Sequence, residues 1–127
     1  MKNTEFFRCE HCGNIITKMH DGGVAVVCCG EEMKKLVAQT ADSTTEKHVP
    51  VIEIKGNDVK VTVGSTLHPM IEKHFIEWIY LETEKGGQFH YFKPGDDPIA
   101  NFRLADGEKV TAAYEYCNIH GLWKANA

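Results

Sequence analysis

The stretch "VKVTV", residues 59–63, alternates strictly: Val59, Val61 and Val63 share one face of an extended chain, and Lys60 and Thr62 share the other. That period marks a β-strand with one face buried. On either side of it, turn-forming residues separate further short runs rich in β-branched and aromatic side chains. "PVIEI" (50–54) and "GND" (56–58) come before it. "FIEWIYLE" (75–82), "EKGG" (84–87), "FHYF" (89–92), "KPGDDP" (93–98), "IANFRL" (99–104), "DGEK" (106–109) and "VTAAYEY" (110–116) come after. Strands at this spacing predict an antiparallel sandwich of about seven strands. Neither an amphipathic helix nor an internal repeat is visible, so the expected class is all-β.

The first 36 residues, "MKNTEFFRCEHCGNIITKMHDGGVAVVCCGEEMKKL", have a different character. Short apolar runs flank the turn signal "DGG" at Asp21–Gly23, which predicts hairpin structure. A segment this short buries too little apolar surface to offset its chain entropy, and needs a metal, a disulfide or a partner chain. The small polar stretch "VAQTADSTTEK" that follows reads as a linker. The expected organisation is therefore a metal-binding domain at 1–36, a linker at 37–47 and a sandwich domain at 48–127.

With 127 residues, 43% of them hydrophobic and 25% charged, the chain has the composition of a globular protein. A net charge of -4 without a basic stripe argues against nucleic acid and anionic membrane as partners. The N-terminus lacks an apolar run of signal-peptide length, and no stretch approaches the roughly 20 apolar residues of a membrane helix. A cytoplasmic location is expected, and there cysteines serve metals more often than disulfides.

Four of the five cysteines cluster early. Cys9 and Cys12 form a C-x-x-C knuckle, and Cys28 and Cys29 follow after 15 intervening residues. The knuckle places two sulfurs on one side of a tight turn, where backbone N–H groups stabilise thiolate charge. Adjacent side chains on a strand point to opposite faces, so Cys28 and Cys29 reach one ion only if the backbone bends there, and Gly30 permits a bend. Four thiolates suit zinc or a single iron; a redox-active C-x-x-C pair or simply buried cysteines are the alternatives. His11, inside the knuckle, reads as a spacer because four thiolates already fill a tetrahedral shell.

The fifth cysteine, Cys117, ends the last apolar run in "EYCNIHGLWK", with His120 three residues on. His48 in "EKHVPV" and His68 and His74 in "TLHPMIEKHF" also sit at loops or strand starts. Loops at one end of a sandwich converge, so His48, His68, His74, Cys117 and His120 can meet around one ion. His20 and His90 read as non-ligands.

Taken together, "CEHCGN…VCCGEEM", "EKHVPVIE", "HPMIEKHFIEWI" and "EYCNIHGLWK", in this order and nearly end to end, resemble desulfoferrodoxin, the two-domain form of the superoxide reductases. The resemblance implies a desulforedoxin-like first domain in which Cys9, Cys12, Cys28 and Cys29 hold a tetrahedral iron. It implies an immunoglobulin-like second domain whose square-pyramidal iron is bound by His48, His68, His74 and His120 in a plane and by Cys117 on the axis. By the same resemblance, Lys47 steers the anionic substrate, Glu46 binds iron(III) after turnover, and a small redox protein such as rubredoxin returns the electron. A cytoplasmic homodimer that removes superoxide under oxidative stress is implied as well.

Four neutral imidazoles and one thiolate leave ferrous iron with a net charge of about +1, which favours an anionic diatomic. A thiolate opposite the substrate position pushes electron density toward it. Two other readings use the same residues: a non-catalytic zinc- or iron-stabilised binding or electron-transfer module, and a metal hydrolase with Glu46 as its base.

Overall fold

The computed structural model describes residues 3–42, 47–64 and 68–127. Every regular element among them is a β-strand. The chain divides into two compact units, Lys2–Val37 and Ala38–Ala127. Among the described residues no helix is long and apolar enough to cross a membrane.

The first unit contains β1 (Phe6–Arg8), β2 (Ile15–Thr17), β3 (Val27–Cys28), β4 (Glu31–Glu32) and β5 (Lys34–Lys35). β1 lies between β2 and β5 in one antiparallel sheet, and β3 pairs with β4 in a second ribbon. Asp21 Oδ1 accepts the Gly23 N–H at 2.8 Å, so the "DGG" signal does form a turn. The flanking strands do not pair across it, however: β2 is taken up by β1 and β3 by β4. Among the described residues only Phe6, Cys9 and Met33 are buried here.

The second unit is a sandwich of seven strands: β6 (Pro50–Lys55), β7 (Asp58–Val63), β8 (Ile76–Thr83), β9 (Gly86–Tyr91), β10 (Ile99–Arg103), β11 (Val110–Cys117) and β12 (Gly121–Asn126). One sheet has the order β10-β7-β6 and the other β12-β11-β8-β9, the three-plus-four division of an immunoglobulin-like sandwich. The "VKVTV" stretch is the central strand β7. Val59, Val61 and Val63 are paired with Ile54, Ile52 and Pro50 on one side, and Val61 and Val59 with Ala100 and Phe102 on the other. These valines meet Ile76, Ile79, Leu81, Ala113 and Cys117 of the opposite sheet, which places the core between the two layers.

The other face of the four-stranded sheet is aromatic. Trp78 and Tyr116 stack with centroids 5.8 Å apart, and the Tyr80 ring lies over Gly87 so closely that a Cβ there would strike it. The glycine is therefore needed for the space it leaves, as strand glycines under aromatic rings commonly are.

Two residues of the polar stretch after Val37, Gln39 and Asp42, are bound into this second unit. Gln39 forms a parallel bridge with Trp123 of β12, giving its N–H to Leu122 and accepting one from Lys124, each at 2.9 Å. Asp42 Oδ1 accepts the N–H groups of His48 and Val49 at 2.5 and 2.8 Å. Local composition reads as linker because these residues carry no apolar period; the partners of Gln39 lie more than 80 residues away, and those of Asp42 just beyond the stretch itself.

Candidate metal centres

Cys9, Cys12, Cys28 and Cys29 come together with their sulfurs all within 4.8 Å of one another. Cys12 and Cys28 Sγ stand 3.6 Å apart, too far for a disulfide and close to the roughly 3.8 Å that tetrahedral thiolates 2.3 Å from an ion require. The backbone bend needed at the adjacent pair is made by Cys29 itself, whose φ of 53° is the only left-handed value among described non-glycine residues; Gly30 follows at 78°. A side chain in that region is held there only when its surroundings demand it.

The Cys12 N–H donates to Cys9 Sγ at 3.5 Å, and this bond first of all brings the Cys9 thiol down to about 6. Hydrogen bonding with Cys9, Cys12 and Cys28 pushes Cys29 up to about 12. Cys9 therefore ionises more readily than Cys29. His11 is exposed and pairs with Glu31 at 2.9 Å, and it is not among the converging donors.

In the sandwich unit, His48, His68, His74, Cys117 and His120 offer five ligand atoms that again all lie within 4.8 Å of one another. The four imidazoles close into a ring in the order His48, His68, His74, His120, with neighbouring centroids 4.6, 4.7, 5.1 and 4.8 Å apart and interplanar angles of 63–87°. His48 Nε2 stands 3.0 Å from His68 Nε2 and 3.1 Å from His120 Nδ1. Neighbouring nitrogens about 2.1 Å from a common ion would be about 3.0 Å apart, so these spacings suit a bound metal. His68 Nδ1 faces the Pro69 carbonyl at 2.7 Å; donating there leaves Nε2 as the lone-pair nitrogen toward the centre.

Local structure explains how five distant residues arrive. β11 delivers Cys117 to the sandwich interior, where it is 0% exposed. A tight turn then leads into β12, with Gly121 at φ 83° opposite Cys117, a conformation that favours glycine. The turn folds His120 back, so that its N–H donates to Cys117 Sγ at 3.5 Å and its Nδ1 lies 3.9 Å from that sulfur. Asn118 spans both sides of His74: it accepts the Phe75 N–H through Oδ1 and donates through Nδ2 to the Lys73 carbonyl, each at 3.0 Å.

Lys47 is half-buried beside His48, and Glu46 lies outside the described residues. His20 is exposed, and His90 packs its ring against Phe92 and Phe102. Neither joins a donor group.

Several neighbours of the centre could not be singled out from sequence. Gln39 Nε2 donates to the His120 carbonyl at 2.8 Å, Asp42 holds the backbone of His48, and Trp123 stacks on the His48 ring. Glu115, directly across from Trp123, is 0% exposed with no hydrogen-bond partner for either carboxyl oxygen. Burial, and secondarily the nearby Asp42 carboxylate, push its carboxyl well above the usual range, favouring the neutral acid. In β11 the alternation of Val110, Ala112, Tyr114 and Tyr116 leaves Glu115 on the opposite face with Thr111, so no local pattern marked position 115 as buried.

Comparison with known proteins bears on this geometry. Residues 40–126 match the family described as Desulfoferrodoxin, and residues 1–36 match the family described as Desulfoferrodoxin, N-terminal domain. The desulfoferrodoxin of Nitratidesulfovibrio vulgaris is 53% identical over 123 residues, covering 97% of this chain and 96% of its own. The superoxide reductase of Pyrococcus horikoshii is 37% identical over 109 residues, with 72% of this chain and 95% of that protein covered. The crystal structure of the superoxide reductase from Treponema pallidum superposes with a TM-score of 0.85 at 34% identity, over 98% of both chains.

Proposed function

Because this chain belongs to the desulfoferrodoxin family, we propose that it is a superoxide reductase, working at the centre formed by His48, His68, His74, Cys117 and His120. The observation that carries the reading is the convergence of four imidazoles and one thiol within 4.8 Å. Nitrogen and sulfur donors in this number suit iron, which the reading requires for its redox step. Iron(II) held by these five residues would supply one electron to superoxide, which with two protons would leave as hydrogen peroxide. Cys117, kept from solvent in the core, provides the donor thiolate, and the His120 N–H bond to its sulfur tempers that charge.

The remaining roles belong to the same reading. Lys47 offers a positive charge beside His48 that draws a small anion toward the centre of a chain with net charge -4. Glu46 supplies the carboxylate that binds the oxidised metal. Cys9, Cys12, Cys28 and Cys29 hold a second iron with no position left for substrate, suiting it to electron relay or to stabilising its own unit. Family membership supports a cytoplasmic homodimer reduced by a small redox protein such as rubredoxin.

The test is stoichiometric. The reduced protein, given a limiting amount of superoxide, should yield one hydrogen peroxide per superoxide consumed, without dioxygen. Dioxygen release would mark dismutation, and no consumption above background would leave only a metal-stabilised module. Lys47→Ala should slow the second-order reaction several-fold and flatten its dependence on ionic strength, as stopped-flow measurements across a salt series would read. An unaltered rate and salt profile would remove Lys47 from the reaction.

A further inference from the structure

We propose that Trp123 is a positioning residue for the imidazole centre, setting the orientation of two of its four rings through two separate contacts. It rests on the assignment of His48 and His120 as metal ligands, and concerns how they are held. The first contact is a stack: the indole lies nearly parallel to the His48 ring, 13° between planes and 4.6 Å between centroids. The second is a hydrogen bond, in which Trp123 Nε1–H donates to the His120 carbonyl at 3.2 Å.

The two contacts act on different freedoms. The backbone at His48 is already fixed by Asp42, so what remains free is rotation of the ring, and a parallel indole opposes it. His120 sits at the exposed end of the turn after Cys117, where backbone is most mobile, and its carbonyl is tied down by Trp123 Nε1 and Gln39 Nε2 together. Trp123 itself is well placed to serve as a fixed reference. It is 6% exposed, lies within β12 paired to Glu115, and is bridged on its other side by Gln39. His48 and His120 are neighbours in the ring of imidazoles, so one rigid side chain fixes the angle between two adjacent donors. Groups that orient metal ligands in this way typically change metal affinity by about 10–100-fold when removed.

Two variants separate the contacts. Trp123→Phe keeps a ring for the stack but cannot donate, and Trp123→Leu keeps apolar volume but provides neither. Both are prepared in the full chain with both sites loaded with iron, and in parallel with cobalt(II) as a spectroscopic probe. Release of the sandwich-unit metal to a chelator should be at least about tenfold faster for the leucine variant and intermediate for phenylalanine. The thiolate charge-transfer band of that centre should shift in both variants, while the absorption of the four-cysteine centre, an internal control, stays unchanged. Wild-type release rates and an unshifted band in the leucine variant would overturn the proposal. Should that variant fail to fold, the phenylalanine variant decides: a wild-type rate and band would count against it. Wild-type protein that holds metal at the centre yet, loaded with iron and reduced, fails to make peroxide would instead sink the reductase reading, leaving the inference about Trp123 intact.

Discussion

Cys117→Ser should abolish superoxide reduction, lowering the rate by at least about a hundredfold, while the four-cysteine centre keeps its metal. The substitution changes volume very little, and Cys117 lies in the core opposite Ile76, so no large cavity forms. The serine oxygen can still accept the His120 N–H that the sulfur now receives. What disappears is charge and softness. A thiolate is reached near neutral pH when a metal is bound, whereas an alkoxide is not, so the donor becomes neutral and binds more weakly. Outer-shell partners alone are worth about 10–100-fold, and a direct donor should exceed that. Following superoxide decay by stopped-flow or pulse radiolysis, together with metal content and thermal unfolding, checks the result. A folded variant that reacts at the wild-type rate would remove Cys117 from the centre.

How much of this arrangement could be read in the chain depends on the range of the forces involved. The alternation of Val59, Val61 and Val63 is a local pattern, and β7 buries that face as the pattern implies; its central place, with strand neighbours on both sides, was set by pairing. The bend at Cys28–Cys29 was also required locally, since two adjacent sulfurs cannot otherwise face one ion; the structure puts the left-handed residue at Cys29 and not only at Gly30. The "DGG" turn was visible, but the choice of strand partners on either side was made by long-range pairing that no turn signal encodes.

The donors of the imidazole centre were legible as residue types next to strand ends, and their gathering followed from the sandwich and from the family resemblance. Their supports were not. Gln39 and Asp42 lie in a polar stretch with no period, and become meaningful only when β12 and the His48 backbone are brought beside them. Trp123 looked like any apolar residue of a last strand. Side chains that act by holding another residue in place carry no motif of their own, because the geometry they serve exists only after folding.

Cys29→Ser should unfold residues 2–37 without unfolding the sandwich. Cys29 is exposed and nothing packs on its side chain as a core, so the substitution removes a donor and little else. Three buried side chains, Phe6, Cys9 and Met33, contribute on the order of 5 kcal/mol, and no strand of this unit exceeds three residues. Structural zinc in zinc-finger peptides contributes about 10–16 kcal/mol at neutral pH, and a four-thiolate metal site on that scale outweighs the apolar core. Without the fourth sulfur the remaining thiols hold a metal more weakly, and the left-handed backbone at position 29 has no ion to keep it there. The expected signs are loss of thiolate-to-metal absorption from the first centre and free amide exchange in the segment between residues 3 and 37. Rapid proteolysis within that segment should accompany them, while the amides of β7, β8 and β11 stay protected and superoxide reduction persists. Protected amides at Phe7 and Arg8 in metal-free Cys29→Ser protein would show that this small unit folds on its apolar residues alone, and that its sulfurs serve electron transfer only.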